Sequence, residues 1–187
     1  MAYWMLECFG AETGPGIEVE TWPEFPGIES WILGEPLPVR PPEPIVMTWD
    51  PEDDEGRPMH LYKSGIPMMT PRLFDELQAA GVDNLEVFRA EVRNEAAGTA
   101  NTYLAFNVVG AIAAADMGLS KYQTGGGPAM YAVDFESVVL DEERIKGVPL
   151  FRLAQNLTAI VIHDRVKERL ERAALGLTFI APEEWVG

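Results

Sequence analysis

Residues 150–180 read LFRLAQNLTAIVIHDRVKERLERAALGLTFI. Leu150–Ala154 and Thr158–His163 are short runs rich in apolar and branched residues, the composition of buried strands. The period then changes. From Arg165 to Leu175, Val166, Leu170, Ala173 and Ala174 fall on one side of a helix, and Asp164 stands where a cap belongs. Gly176 stops that helix, Leu177–Ile180 returns to strand, and Pro182 ends it. Strands and helices mix without regular βαβ alternation. The class is therefore α+β: one domain over 1–187, with a mixed, mostly antiparallel sheet and a few helices. Leu153, Ile160, Ile162, Leu170 and Phe179 are its expected core residues.

Upstream, Thr70-Pro71 supplies an N-cap and a proline at the first helical position. Leu73, Phe74 and Leu77 form the apolar face of that helix, and Gly81 ends it. Leu85–Val92 and Thr102–Val109 read as strands, and the alanine-rich run after Gly110 suits either strand or helix. Residues 124–128 form a loop, 130–140 one or two short strands, and 141–147 a turn. These elements, from residue 57 onward, make up the α+β core.

The N-terminal part, 1–56, differs in character. Tyr3–Phe9 is a buried aromatic strand and Ile45–Trp49 a second short one. Between them, thirteen prolines and glycines in residues 10–44 forbid long helices. Trp22, Phe25, Trp31, Ile32 and Leu33 punctuate this stretch, so an ordered Pro/Gly-rich wrap is expected rather than a free linker. Residues 1–56 also hold thirteen acids and one base, Arg40, which is −12 of the net −16. Such a field repels nucleic acid and anionic membranes and attracts basic partners. It reads either as a solvating surface or as a surface that recognises a basic partner. The candidate partner-binding residues are the acidic loop Asp50, Glu52, Asp53, Asp54 and Glu55, with Trp22, Trp31 and Trp49 as aromatic anchors.

Chemistry-bearing motifs are sparse. A hydrophobic share of 47% can fill a core, which excludes disorder of the whole chain. One cysteine, Cys8, excludes an internal disulfide framework and a cysteine-based zinc site. With His60 and His163 as the two histidines, no metal or cofactor is expected. Gly125–Gly127 lacks the Lys and Ser/Thr of a phosphate loop. Counted from Asp50, a calcium loop would need glycine at its sixth position, where Glu55 stands. No G-x-S-x-G elbow is present. The start carries no export signal, and no apolar run reaches the ~20 residues of a bilayer span, so the cytoplasm is the expected compartment.

Several segments carry a resemblance. They are KSGIPMMTPRLFDELQAAGVDNLEVFRAEVR at 63–93, YLAFNVVG at 103–110, Ala115-Asp116 and Ser120. VVLDEERIKGVPLFRLAQN at 138–156 and TAIVIHDRVKERLERAALGLTFIAPEEW at 158–185 follow. In this order, over roughly residues 60–185, they resemble the bacterial immunity protein family eleven of polymorphic toxin systems. That family was formerly a domain of unknown function and is common in myxobacteria. The resemblance implies a non-enzymatic cytoplasmic inhibitor that binds a cognate toxin and masks its active site, and it supplies no catalytic residues. A nuclease toxin is basic because it binds phosphates, which fits the acidic composition. The alternatives are a small hydrolase using scattered carboxylates and an interaction module for another basic partner; self-association is left open.

Overall fold

Strands that are apolar on both faces need cover on both faces, and this requirement organises the chain. The computed structural model describes residues 2–8, 16–49, 56–94, 96–124 and 133–187. In chain order the elements are β1 (Tyr3–Glu7), β2 (Ile45–Thr48), β3 (Leu61–Tyr62), β4 (Met68–Met69), α1 (Pro71–Ala79), β5 (Leu85–Asn94) and β6 (Thr99–Val108). Then come β7 (Ala111–Ile112), β8 (Lys121–Gln123), β9 (Asp134–Ser137), α2 (Glu142–Ile145), β10 (Leu150–Leu153), β11 (Asn156–His163), α3 (Asp164–Ala173) and β12 (Thr178–Ile180). A 3-10 turn follows at Pro182–Glu184.

The first sheet has the order β12-β1-β11-β10-β7 and the second β2-β5-β6-β4-β3, while β8 and β9 form a separate hairpin. Pairing is antiparallel except where β10 meets β7 and β2 meets β5. The class is α+β with mixed sheets, as the sequence predicts.

Side-chain alternation divides each sheet cleanly. From the first sheet, Leu6, Leu150, Ile160 and Ile162 enter a central core. Leu61, Phe106 and Val108 of the second sheet meet them there, with Leu73 and Leu77 of α1 and Val166 and Leu170 of α3. The opposite face of the first sheet, with Met5, Phe151 and Val161, is covered by Phe135, Ile145 and Trp185. The opposite face of the second sheet, with Met47, Phe88, Val92 and Tyr103, is covered by Ile17 and Trp31. Val19, Trp22, Phe25, Ile28 and Leu37 pack around that patch. Gly34 (φ +80°) lies so close to β7 that a Cβ there would stand 2.7 Å from that of Ala111. Its carbonyl accepts from the Gly110 N–H at 2.8 Å, tying the cover to the first sheet.

α1 forms where expected. Thr70 Oγ1 accepts from the Leu73 N–H, Pro71 opens the helix, and Gly81 (φ +87°) follows its end. The same hydroxyl lies 2.7 Å from His60 Nδ1, and burial pushes the His60 pKa down. α3 differs from expectation in its cap. His163, not Asp164, is the N-cap: its Nδ1 accepts from the Arg165 N–H at 3.1 Å. Asp164 is already helical, and its carboxylate accepts the Trp4 indole N–H at 2.9 Å. The helix also closes earlier, on Ala174 in the left-handed conformation (φ +51°), before Gly176.

Leu153, Ile160, Ile162 and Leu170 are buried, but Phe179 is only half-buried. β12 is an edge strand of three residues, and Lys167 Nζ rather than a covering element stands near the Phe179 ring, 5.9 Å from its centre. The expected turn at 141–147 contains one helical turn, α2, capped by Asp141. The alanine-rich run supplies β7. Phe9 and residues 125–132, which include most of the expected loop at 124–128 and the start of the 130–140 region, lie outside the described residues.

Leu170 is 1% exposed at the contact of α3 with the central core. Leu170→Ala is therefore expected to cost about 2–5 kcal/mol in denaturant unfolding. A loss below about 0.5 kcal/mol, typical of a surface site, would contradict the packing described here.

Candidate functional site

Residues 16–44 form no helix or extended strand, yet they turn most of their large apolar side chains inward, Leu33 and Val39 excepted, and five of their six carboxylates outward. Glu18, Glu20, Glu24, Glu29 and Glu35 are all exposed, and Arg40 is the one base of the segment. The Ile17 N–H donates to Arg57 O at 3.2 Å and the Glu20 N–H to Thr48 O at 3.0 Å. Glu18 and Glu20 are thus pinned beside the two ends of the 50–55 stretch. Asp50, Glu52, Asp53, Asp54 and Glu55 themselves lie outside the described residues.

The three tryptophans singled out from the sequence occupy different places. Trp31 is buried (7% exposed) and meets Phe25 and Phe88 edge-on, with ring centres 6.3 and 5.8 Å away. Trp22 is half-buried against Gly65, where a Cβ would come within 2.8 Å of the indole. Gly65 has φ +63°, so that close approach needs glycine twice over. Trp49 is half-buried on the outer face of the second sheet, its backbone N–H donating to Arg93 O at 3.0 Å. Trp31 and Trp22 line two neighbouring cavities, and Trp49 lines neither.

The larger cavity, about 750 Å³, opens between the end of β1, the residues after β3, the 29–32 segment and the C-terminal residues 185–187. Trp31, Ile32, Met59, Ile180 and Val186 give it apolar walls. Its polar centre is Glu7. One carboxylate oxygen meets Lys63 Nζ at 2.6 Å, and the other accepts the Trp185 indole N–H at 2.8 Å. Lys63 also donates to Leu6 O at 3.2 Å. Both side chains of the ion pair are 14% exposed.

Cys8 lines the same wall, and burial pushes its thiol pKa up, with Lys63 opposing. A thiol held protonated is a poor nucleophile. The cavity thus combines apolar walls with an internally satisfied ion pair. Among the described residues, no group of three or more His, Cys, Asp or Glu side chains is arranged to hold a metal ion. No helix among them is long and apolar enough to cross a membrane.

Glu7, Lys63 and Trp185 escape sequence reasoning because no local spacing links them. Trp185 and Glu7 are 178 positions apart, and the pairing of β1 with β12, with the backbone bonds between Phe135 and Gly187, brings the two regions together.

A family model described as "Immunity protein family (Imm11)" matches residues 11–182, nearly the whole chain. The chain belongs to this immunity protein family. Membership implies an immunity role: binding of a cognate toxin by a non-enzymatic inhibitor. The match includes the 16–44 segment, so the acidic cover is part of the family domain. No curated protein matches the chain.

The Glu7–Lys63 pair ties β1 to the second sheet's edge. Lys63→Met leaves the Glu7 carboxylate enclosed with only the indole donor and is expected to cost about 1–3 kcal/mol. Adding Glu7→Gln should return part of that loss. A double-mutant cycle by urea unfolding checks both, and strictly additive costs would show that the pair is not coupled.

Proposed function

We propose that this chain neutralises a basic, nuclease-like toxin in the cytoplasm by covering its active site with the acidic N-terminal face. The observation that carries the reading is the row of five exposed glutamates on the 16–44 segment, opposed within it by Arg40 alone. A nuclease must present cations to phosphate, so its active-site face is positive. A negative inhibitor surface complements that face, speeds encounter and disfavours wrong partners. The sequence-derived patch Asp50, Glu52, Asp53, Asp54 and Glu55 adds five carboxylates to the sequence between Thr48 and Arg57, whose carbonyls accept from the Glu20 and Ile17 N–H groups. Trp22 and Trp31 sit beneath this face and would stiffen it; Trp49, next to Asp50, would anchor its edge.

Co-expression with the neighbouring gene, scored for growth, tests the neutralising role. Rescue by the wild-type chain is expected, and continued growth arrest would sink the reading. The charge argument is tested by changing Glu18, Glu20, Asp50, Glu52, Asp53, Asp54 and Glu55 to their amides. Stability should change little, because exposed charges contribute about 0–1 kcal/mol each. Stopped-flow association with an inactivated toxin should slow by about tenfold or more at low salt and lose most of its salt dependence. Unchanged rates at two ionic strengths would place the toxin on another face.

A further inference from the structure

We propose that the larger cavity receives one arginine side chain of the bound toxin. The inference rests on the reading that the chain neutralises a basic toxin, and it names the contact that would hold the complex together. The lining itself argues for this occupant. Ile32, Met59, Ile180 and Val186 offer apolar contact to an aliphatic stem, and Trp31 and Trp185 contribute aromatic edges. Inside, Glu7 and Lys63 satisfy each other, and Trp185 occupies the second carboxylate oxygen, so that pair offers no free charge. At the mouth, Glu29 is exposed and makes no hydrogen bond or ion pair with the described residues. Among the described side chains of the lining, it is the carboxylate without a partner. An apolar wall beside a carboxylate at the mouth matches an arginine: its stem packs along the wall, and its weakly hydrated guanidinium forks onto the acid at the rim.

Position supports the same occupant. The smaller cavity, about 410 Å³, is lined by Glu18 and Trp22 and shares Met59, Tyr62, Ser64 and Gly65 with the larger one. The mouth therefore adjoins the acidic segment that would steer a basic partner. Val186, 73% exposed, adds an apolar residue to the rim, the surrounding that excludes water from a central anchor.

The test uses the full chain and an inactivated form of a toxin that it neutralises. Ser64 is an exposed residue of the lining, so Ser64→Trp obstructs the cavity without entering the core. Glu29→Gln removes the carboxylate. Each variant should dissociate about tenfold faster or more, with association nearly unchanged, the pattern of a lost anchor. Glu168→Gln on α3, away from the lining, serves as the control and should behave as wild type. Arginines of the toxin are then changed to alanine one at a time. One of these substitutions should raise the dissociation rate comparably and abolish the further effect of Glu29→Gln.

Wild-type dissociation rates in both variants would overturn the inference, as would coupling of Glu29 to a lysine or to no toxin residue. Should Ser64→Trp fail to fold, judged by circular dichroism, Glu29→Gln and the coupling decide the matter. Wild-type chain that binds no toxin at all would instead overturn the underlying reading, and the cavity assignment with it.

Discussion

Two sheets whose strands are apolar on both sides present four faces to be hidden from water, and the rest of the structure follows from hiding them. The inward faces meet each other and helices α1 and α3. An antiparallel sheet ordinarily leaves one face wet, but Tyr3, Met5, Phe151 and Val161 make the outer face of the first sheet as apolar as its inner one. The C-terminal residues around Trp185 and the β9 strand close it. Phe88, Ala90, Val92, Tyr103 and Ala105 make the same demand on the second sheet. Among the described residues no helix packs there, and an irregular segment takes the place of one.

That substitution explains the composition of residues 16–44. A helix covers a sheet with a regular stripe. A proline- and glycine-rich segment instead places anchors such as Ile17 and Trp31 one at a time and frees the residues between them to face water. Glutamates fill those outward positions. The segment can therefore be rich in tryptophan and strongly acidic without conflict, because the two properties point in opposite directions.

How much of this was legible depended on the range of the determining contacts. α1 could be read residue by residue, since Thr70, Pro71 and Gly81 act within one turn of the helix they bound. The cap of α3 was misplaced by one residue. His163 and Asp164 are both acceptors, and the donor that claims Asp164 is Trp4, 160 positions away. LFRL at 150–153 reads as core strand, and it is one, but alternation puts Arg152 on the side of Leu150 and buries it completely. Its Nη1 donates to Leu157 O at 2.7 Å across the β10–β11 hairpin, next to a register shift, and burial lowers its pKa to about 10. That value still leaves it cationic at neutral pH, a buried charge that no hydropathy pattern announces. The two-residue strands β3, β4 and β7 carry no period of their own and exist through their neighbours. The larger cavity belongs to the same class: its polar centre assembles residues 7, 63 and 185 through sheet pairing and an ion pair.

An inhibitor faces a kinetic problem that a folded core does not. It must meet its toxin before damage is done and then not let go, and one interaction does not serve both ends. Long-range charge raises the encounter rate but is screened within about 10 Å at 0.1 M salt, and once contact is made it adds little hold. Holding requires desolvated, shape-matched contact, which is short-ranged and does nothing until the surfaces touch. In this fold the outward glutamates and the cavity adjoin and share Glu29, while Trp31, Met59, Tyr62 and Gly65 shape the space beneath. On the proposed reading, association is tuned through the acids other than Glu29 and dissociation through the cavity. Surface acids vary at little cost to the core, whereas cavity residues are constrained by the Glu7–Lys63 pair that joins the two sheets.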